Sequence, residues 1–443
     1  MRLSIVGTGY VGLVSGVGMA EVGHDVICVD TDQNKVDLIN QGVSPIFEVG
    51  LDALLKKNVG SRLTATTDLR SAVIGTDVTL IAVGTPFNGV QIDLTYVREA
   101  ARQIGEVLAD KAGYHTVVVK STVVPGTTTN VVLPALEKAS GKTAGDDFGV
   151  GMNPEFLAEG AAVVDFMSPD RIVVGGIDDR SRDALAELYA SFPDATIIRT
   201  DTTTAEMIKY AANSLLATMI SFSNEIGNLC ASVGVDSVEA LNGVHLDKRL
   251  SPMSADGSRI TPGFLSFLAA GCGFGGSCFP KDVKALIAFG QASGSPMPVL
   301  EAVMATNERQ PARMLELLRR RVPDLVGARV AVLGMAFKPG TDDIRESPSL
   351  PVTRALLEAG AVVSAYDPIA RSMAEPVFDG AVRFEDTLDD VIKDVDAILV
   401  MTRWQHFERL PALLRMTGSS AAVIDGRRLI PKTAVDQYEG IGL

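Results

Sequence analysis

One cysteine in this chain has neighbours that suit it to chemistry. Cys278 follows Gly275, Gly276 and Ser277 and precedes Lys281 and Asp282 in the run GFGGSCFPKD. A thiol that ends a glycine-rich loop and opens a helix lies where the helix N-terminus and a nearby ammonium favour the thiolate, its reactive form. On residue type alone the commoner reading of a cysteine is a small buried hydrophobe. Cys28, Cys230 and Cys272 are assigned to packing on that ground, although Cys272 is close enough in sequence to line the same loop. Upstream, Lys209 and Asn213 stand four residues apart in EMIKYAAN and therefore share one face of a helix. A polar pair in a mostly apolar helix needs partners, and its plain reading is a surface or interfacial stripe. Asp282 beside Lys281 likewise reads as a structural ion pair.

A second constellation lies at the start of the chain. The apolar run LSIVG leads into Gly7-Thr8-Gly9-Tyr10-Val11-Gly12, and the next strand-like run ends at Asp30, about twenty residues on. Gly7 permits the tight turn, Gly9 lets a pyrophosphate approach the backbone, Gly12 lets helix pack on strand, and the helix N-terminus faces the negative charge. Asp30 is placed to accept from the ribose hydroxyls of an adenosine. Its charge would repel a 2′-phosphate, so NAD is expected rather than NADP. The corresponding run in the second half, Gly334-Met335-Ala336-Phe337-Lys338-Pro339, has lost the later glycines and is not expected to bind a dinucleotide in that way.

The elements that position these residues follow from pattern and size. A chain of 443 residues exceeds one ordinary hydrophobic core. Short apolar runs (DVICVD, VTLIAVGTP, TVVVKST, FGVGMNP, RIVVGG) alternate with helical patterns up to about residue 199, which predicts a parallel sheet. From Thr202 to about Val233 a stretch almost free of Gly and Pro predicts one long helix with apolar residues on more than one face. Residues 242–281, rich in Gly, Ser and Pro, read as a structured loop entering a helix. ARVAVLG, AVVSAYDP, DAILVMT and AAVIDGR then repeat the strand–helix logic. The fold expected is α/β: two Rossmann-like, doubly wound parallel-sheet domains joined by a central helical region, with boundaries at 1–200, 201–310 and 311–443. A net charge of −14 disfavours nucleic acid and anionic membranes as partners. The cysteines have neither metal spacing nor disulfide density, and no signal peptide or membrane-length apolar run is evident, so a reducing, cytoplasmic setting is expected.

Seven segments occur in the order found in one family: GTGYVG, VGTP (Val83 to Pro86), STVVPGTT (Ser121 to Thr128), NPEFLAEG (Asn153 to Gly160), EMIKYAAN, GFGGSCFPKD and FKPGTDDIRES (Phe337 to Ser347). The chain resembles the UDP-glucose/GDP-mannose dehydrogenases, and within them the UDP-glucose 6-dehydrogenases, over essentially its whole length. The resemblance implies an NAD-dependent four-electron oxidation of UDP-glucose to UDP-glucuronate, a homodimer through the central helix, and a C-terminal domain that holds the nucleotide. It implies that Cys278 is the nucleophile, that Lys209 and Asn213 stabilise the oxyanion, that Asp282 and Thr122 handle the alcohol proton and orient a water, and that Glu155 is the base of a hydrolytic step. Cofactor contacts are expected from the Gly7–Gly12 loop including Tyr10 and Val11, and from Asp30, Lys35, Thr85, Thr122, Glu159, Lys281 and Arg345. The substrate is expected at Glu155, Phe156, Leu157, Lys209, Asn213, Arg259, Phe274, Gly275 and Lys338. No metal is implied. Lys338 and Arg345 also read as solvated charges, and Arg345 as an ion-pair partner of Asp342 or Asp343.

One segment departs from the family pattern. LDKRLSPMSADGSRITPGFLSFLAAGCG (Leu246 onward) is longer than usual, and Arg259, with Arg249 second, is the better match for the arginine that precedes the cysteine loop. This leaves room for another sugar nucleotide, so a GDP-mannose 6-dehydrogenase is the runner-up. A two-electron NAD-dependent hydroxyacid dehydrogenase shares the fold and a Lys/Asn helix but needs no cysteine. An NAD-sensing binding protein would have no reason to retain Cys278, Lys209, Asn213, Glu155 and Asp282 together.

Overall fold

The computed structural model describes all of residues 1–443, which divide into two compact units, Met1–Ala212 and Asn213–Leu443. The first is built on an eight-stranded sheet: β1 (Arg2–Val6), β2 (Asp25–Val29), β3 (Leu63–Thr66), β4 (Val78–Ile81), β5 (Thr116–Val119), β6 (Gly149–Met152), β7 (Arg171–Gly176) and β8 (Thr196–Thr200). The order is β3-β2-β1-β4-β5-β6-β7-β8, and every pairing is parallel except β6 with β7. The strands read as continuous apolar runs because both faces are covered. Along β5, Val118 enters one core with Leu3, Ile5 and Leu80, while Val117 and Val119 enter the other with Ile104 and Leu136. The expectation of a parallel sheet needs one amendment. The connection from β6 carries only the short helix Ala162–Met167 and returns at the same end of the sheet, so β7 and β8 run opposite to the other six strands. Because β6 runs parallel to β5, NPEFLAEG emerges at the carboxyl edge of the sheet, the same edge that carries the glycine-rich loop after β1, and the reversed β7 re-enters from that edge.

The second unit carries a six-stranded, wholly parallel sheet: β9 (Arg329–Leu333), β10 (Val362–Tyr366), β11 (Arg383–Phe384), β12 (Ala397–Val400), β13 (Ala422–Asp425) and β14 (Tyr438–Gly440), in the order β11-β10-β9-β12-β13-β14. Alternation again divides each strand between two cores, Val330 and Val332 on one side and Ala331 and Leu333 on the other. The long helix Thr202–Ser232 matches its predicted span within a residue. Residues 246–278 are mostly irregular, with one 3₁₀ turn at Gly263–Phe267, before the helix Phe279–Ala292. No helix is long and apolar enough to cross a membrane.

Candidate active site

The loop after β1 has the geometry a pyrophosphate needs. Gly7 sits at φ 98°, and a Cβ there would lie 2.7 Å from the Ala82 carbonyl oxygen; one on Gly12 would lie 1.9 Å from the Gly7 oxygen. Gly9 faces open space and caps the helix Tyr10–Glu21 without a side-chain bond, so the first amides of that helix remain for an anion. Asp30 accepts from the Thr8 amide (2.8 Å) and hydroxyl (2.6 Å), and burial, which raises its carboxyl, is outweighed by these bonds and by Lys35, which together hold it below its ordinary range. The residues present therefore fit NAD. The second unit differs at the corresponding place. Asp367, at the end of β10, fills the turn after β9 by accepting from the Met335 (2.7 Å) and Ala336 (3.0 Å) amides. Two amides of that turn are thus taken up by Asp367, where Asp30 takes one in the first unit.

NPEFLAEG is an irregular connection, and the helix after it begins only at Ala162. Within it Glu155, 6% exposed, pairs with Lys209, 3% exposed, at 3.0 Å. Burial alone would raise the Glu155 carboxyl, but the Lys209 ammonium and the Leu157 amide, which donates at 2.6 Å, hold it below the usual carboxylate value. The Leu157 amide is thus engaged by Glu155 and not simply presented outward. Phe156 lies between two cations, its ring 3.9 Å from the Arg171 guanidinium and 5.5 Å from the Lys209 ammonium. Tyr10 donates its hydroxyl to Glu48, and Glu48 also accepts from the Gly160 (2.6 Å) and Ala162 (2.9 Å) amides. Glu159 is buried in the same connection. Thr85 donates to the Thr122 carbonyl at 2.9 Å, so VGTP and STVVPGTT brace each other.

Two positioning carboxylates went unmarked in the sequence. Glu48 lies in an unremarkable loop and ties the cofactor loop to NPEFLAEG. Glu206, one turn before Lys209, accepts from the Thr128 amide (2.7 Å) and hydroxyl (2.6 Å) and from the Gly126 amide, anchoring the loop that carries Thr122; burial pushes its carboxyl up to about 7 against these donors. The signal for Glu206 in the sequence is its place at the head of EMIKYAAN, with nothing to mark its partners.

In the second unit Cys278 is the N-cap residue of Phe279–Ala292 and is partly exposed. One turn into that helix Asp282, 1% exposed, accepts from the Asn213 amide group at 2.7 Å and pairs with Lys281 at 2.5 Å. Asn213 and Lys281 are therefore both organised around Asp282. The loop before Cys278 is seated against FKPGTDDIRES: the Gly276 amide donates to the Arg345 carbonyl (2.8 Å), a Cβ on Gly275 would lie 2.2 Å from the Glu346 carbonyl oxygen, and one on Gly276 would strike the Phe337 ring. Asn307 clamps Phe274 by bonding its amide and its carbonyl. The Lys338 ammonium lies 5.7 Å from the Phe337 ring.

Two arginines stand differently from a bare ligand contact. Arg345 makes a bidentate pair with Asp343 (2.9 and 2.8 Å) while its side chain stays 64% exposed. Arg259 turns its guanidinium onto the Leu246 and Ser251 carbonyls (both 2.8 Å), closing a small hairpin in which Met253 pairs with its own backbone. The sequence reading also passed over Arg427, which donates to the Met401 (2.7 Å) and Gly273 (3.1 Å) carbonyls and keeps Nη2 buried without a hydrogen-bond partner. A guanidinium held so beside the cysteine loop suits an anion. No cluster of three or more His, Cys, Asp or Glu side chains is spaced to hold a metal.

A cofactor loop built for a dinucleotide and a carboxylate–lysine pair buried at the same edge of the sheet define an NAD-dependent dehydrogenase. Three family models match in succession: the NAD-binding domain over residues 1–193, the central domain over 203–309 and the UDP-binding domain over 331–432. The chain belongs to the UDP-glucose/GDP-mannose dehydrogenase family. It is 45% identical over 446 residues to a UDP-glucose 6-dehydrogenase of Haloferax volcanii, with all of both chains covered, and 42% identical over 438 residues to a GDP-mannose 6-dehydrogenase of Pseudomonas savastanoi, covering 96% of this chain and 95% of that one. A solved UDP-glucose dehydrogenase from Pyrobaculum islandicum superposes with a TM-score of 0.89 at 39% identity, covering 100% of this chain and 97% of that one.

The crowding at Gly275 yields a direct expectation. Gly275→Ala must displace either the cysteine loop or the Glu346 peptide, and a shift near 1 Å at a reacting group costs on the order of a hundredfold in rate. Steady-state kinetics should show that loss with NAD binding retained; unchanged turnover would contradict the seating of the loop.

Proposed function

We propose that the chain oxidises the primary alcohol of UDP-glucose to the carboxylate of UDP-glucuronate, consuming two NAD and one water. The observation that carries this reading is the placement of Cys278, the one partly exposed cysteine, at a helix start in a loop held by Phe337 and Glu346. A two-electron hydroxyacid dehydrogenase has no use for such a thiol. Loss of one hydride takes an alcohol to an aldehyde, and an aldehyde has no good hydride to give until a nucleophile adds to it.

The Gly7–Gly12 loop and Asp30 would hold NAD, which would supply the hydride acceptor for both oxidations. Asp282 and Thr122 manage the alcohol proton. The Cys278 sulfur then adds to the aldehyde carbon, and Lys209 and Asn213 donate to the oxygen that gains charge. The resulting thiohemiacetal is oxidised to a thioester, and Glu155, held ionised by Lys209, takes the proton of the water that cleaves it and releases the thiol. Phe274, Gly275, Lys338 and Arg427 are assigned to the sugar nucleotide, the buried Nη2 of Arg427 supporting a diphosphate contact. GDP-mannose is the second reading, because relatives at 42% identity carry that name.

An apolar stripe supports a homodimer through the long helix. Leu215, Phe222 and Leu229 recur every seven residues and are 61%, 48% and 59% exposed. Four free thiols suit a reducing cytoplasm.

Counting NADH formed per sugar nucleotide consumed tests the reaction. Two per UDP-glucose, with Cys278→Ala reduced by several orders of magnitude, is the expected result; one per substrate with an indifferent variant would leave a simple alcohol dehydrogenase. For the assembly, light scattering should find Phe222→Glu at half the mass of wild type, and an unchanged mass would remove the stripe from the interface.

A further inference from the structure

Lys120 is a buried cation to which the reaction above gives no part. It follows β5 directly, immediately before Ser121 and Thr122, and is 4% exposed. Its ammonium donates to Asn153 Oδ1 at 2.8 Å and to the Tyr189 hydroxyl at 3.4 Å, and the Tyr189 hydroxyl itself donates to Asn153 Oδ1. Asn153 is fixed in turn by donating to the Val173 carbonyl at 2.8 Å. Neither acceptor is charged. The ionised groups that act on Lys120 are Glu155, two residues beyond Asn153, and Lys209. Glu155 is thereby shared, since both Lys209 and Lys120 pull its carboxyl down. A second ammonium thus acts on the carboxylate that Lys209 already pairs.

A simple structural anchor for Asn153 does not call for a charge, because a neutral donor would satisfy the same amide oxygen without the cost of burying an ion. A second positive charge near the Glu155–Lys209 pair favours a developing oxyanion. We propose that Lys120 is a positioning residue for the reaction, a second buried ammonium that holds Asn153 at the head of NPEFLAEG and so sets Glu155, two residues on, against Lys209. The inference rests on the roles proposed above for Glu155 and Lys209.

Burial, opposed by Glu155 and reinforced by Lys209, lowers the Lys120 ammonium to about 8. Its charge therefore disappears just above neutrality, and the wild-type rate should acquire an alkaline limb there. The experiment is the pH profile of kcat for the full-length enzyme with NAD and UDP-glucose, for wild type, Lys120→Met, Lys120→Arg and Tyr189→Phe. Lys120→Met should lose the alkaline limb near pH 8, move the acid limb upward by about one unit as Glu155 loses a cation, and slow neutral turnover about tenfold. Lys120→Arg, charged throughout, should keep the acid limb in place, and Tyr189→Phe, which removes one acceptor, should move the alkaline limb down.

A second readout needs no substrate. The unfolded chain holds the lysine proton up to about 10.4, so between pH 8 and that value it binds more protons than the folded chain, and folding becomes relatively more favourable as pH rises. The melting temperature of wild type should therefore gain on Lys120→Met through that window. Profiles that superimpose in all four proteins, even with Lys120→Met melting lower, would overturn the proposal, as would a melting difference flat in pH. Failure of the substrate reading looks different: no turnover of UDP-glucose, with the pH-dependent melting difference intact.

Discussion

Burying two opposite charges side by side is expensive in solvation, and Glu155 and Lys209 meet that cost at 3.0 Å with each side chain almost wholly enclosed. A well-packed apolar pair would often be as stable, so the pair is better explained by what it does than by what it holds up. It links the irregular NPEFLAEG connection to the long helix, and the surroundings serve that link. The parallel run of β6 delivers NPEFLAEG to the carboxyl edge of the sheet, and the reversed β7 lets the connection stay there. Glu48 fixes its far end to Tyr10 of the cofactor loop, and Glu206 fixes the Thr122 loop one turn from Lys209. Three carboxylates thus join three glycine- or proline-punctuated loops to rigid elements, which is how a loop can hold a reacting group to a fraction of an ångström.

The cysteine loop solves the same problem with missing side chains. Gly275 and Gly276 lie where a Cβ would meet the Glu346 carbonyl or the Phe337 ring, so the backbone itself seats against FKPGTDDIRES. The helix that follows starts at Cys278 and carries Asp282 one turn on, where Asn213 and Lys281 converge on it. In the second sheet Asp367 engages two amides of the turn after β9, where Asp30 engages one in the first.

Much of this was legible in the sequence because the signals are local. Continuous apolar runs bounded by glycine gave the central strands of both sheets, and the glycine fingerprint followed by Asp30 gave the cofactor loop. The edge strands β3, β8, β11 and β14 were not read, being short or only half apolar, as in TIIRT at Thr196–Thr200. The antiparallel turn at β6–β7 was illegible because direction is set by where a connection returns, not by the composition of either strand. Among site residues, motif positions were readable, while the partners of Glu48, Glu206, Lys120 and Arg427 were not: they lie tens to more than a hundred residues away, and a single sequence carries no trace of such pairings. Arg259 shows the converse, a residue placed by its neighbours in sequence whose guanidinium closes its own hairpin.

The central claim is that Cys278 bonds to the substrate carbon and that Glu155 drives the release of product. Intact-protein and peptide mass spectrometry of Glu155→Gln after acid quench, following incubation with UDP-glucose and NAD, tests it most directly. The account predicts a nucleotide-sugar acyl adduct on the peptide containing Cys278, absent when Cys278 is also replaced by alanine. NADH formation by a folded Glu155→Gln protein with no adduct on that peptide would contradict it.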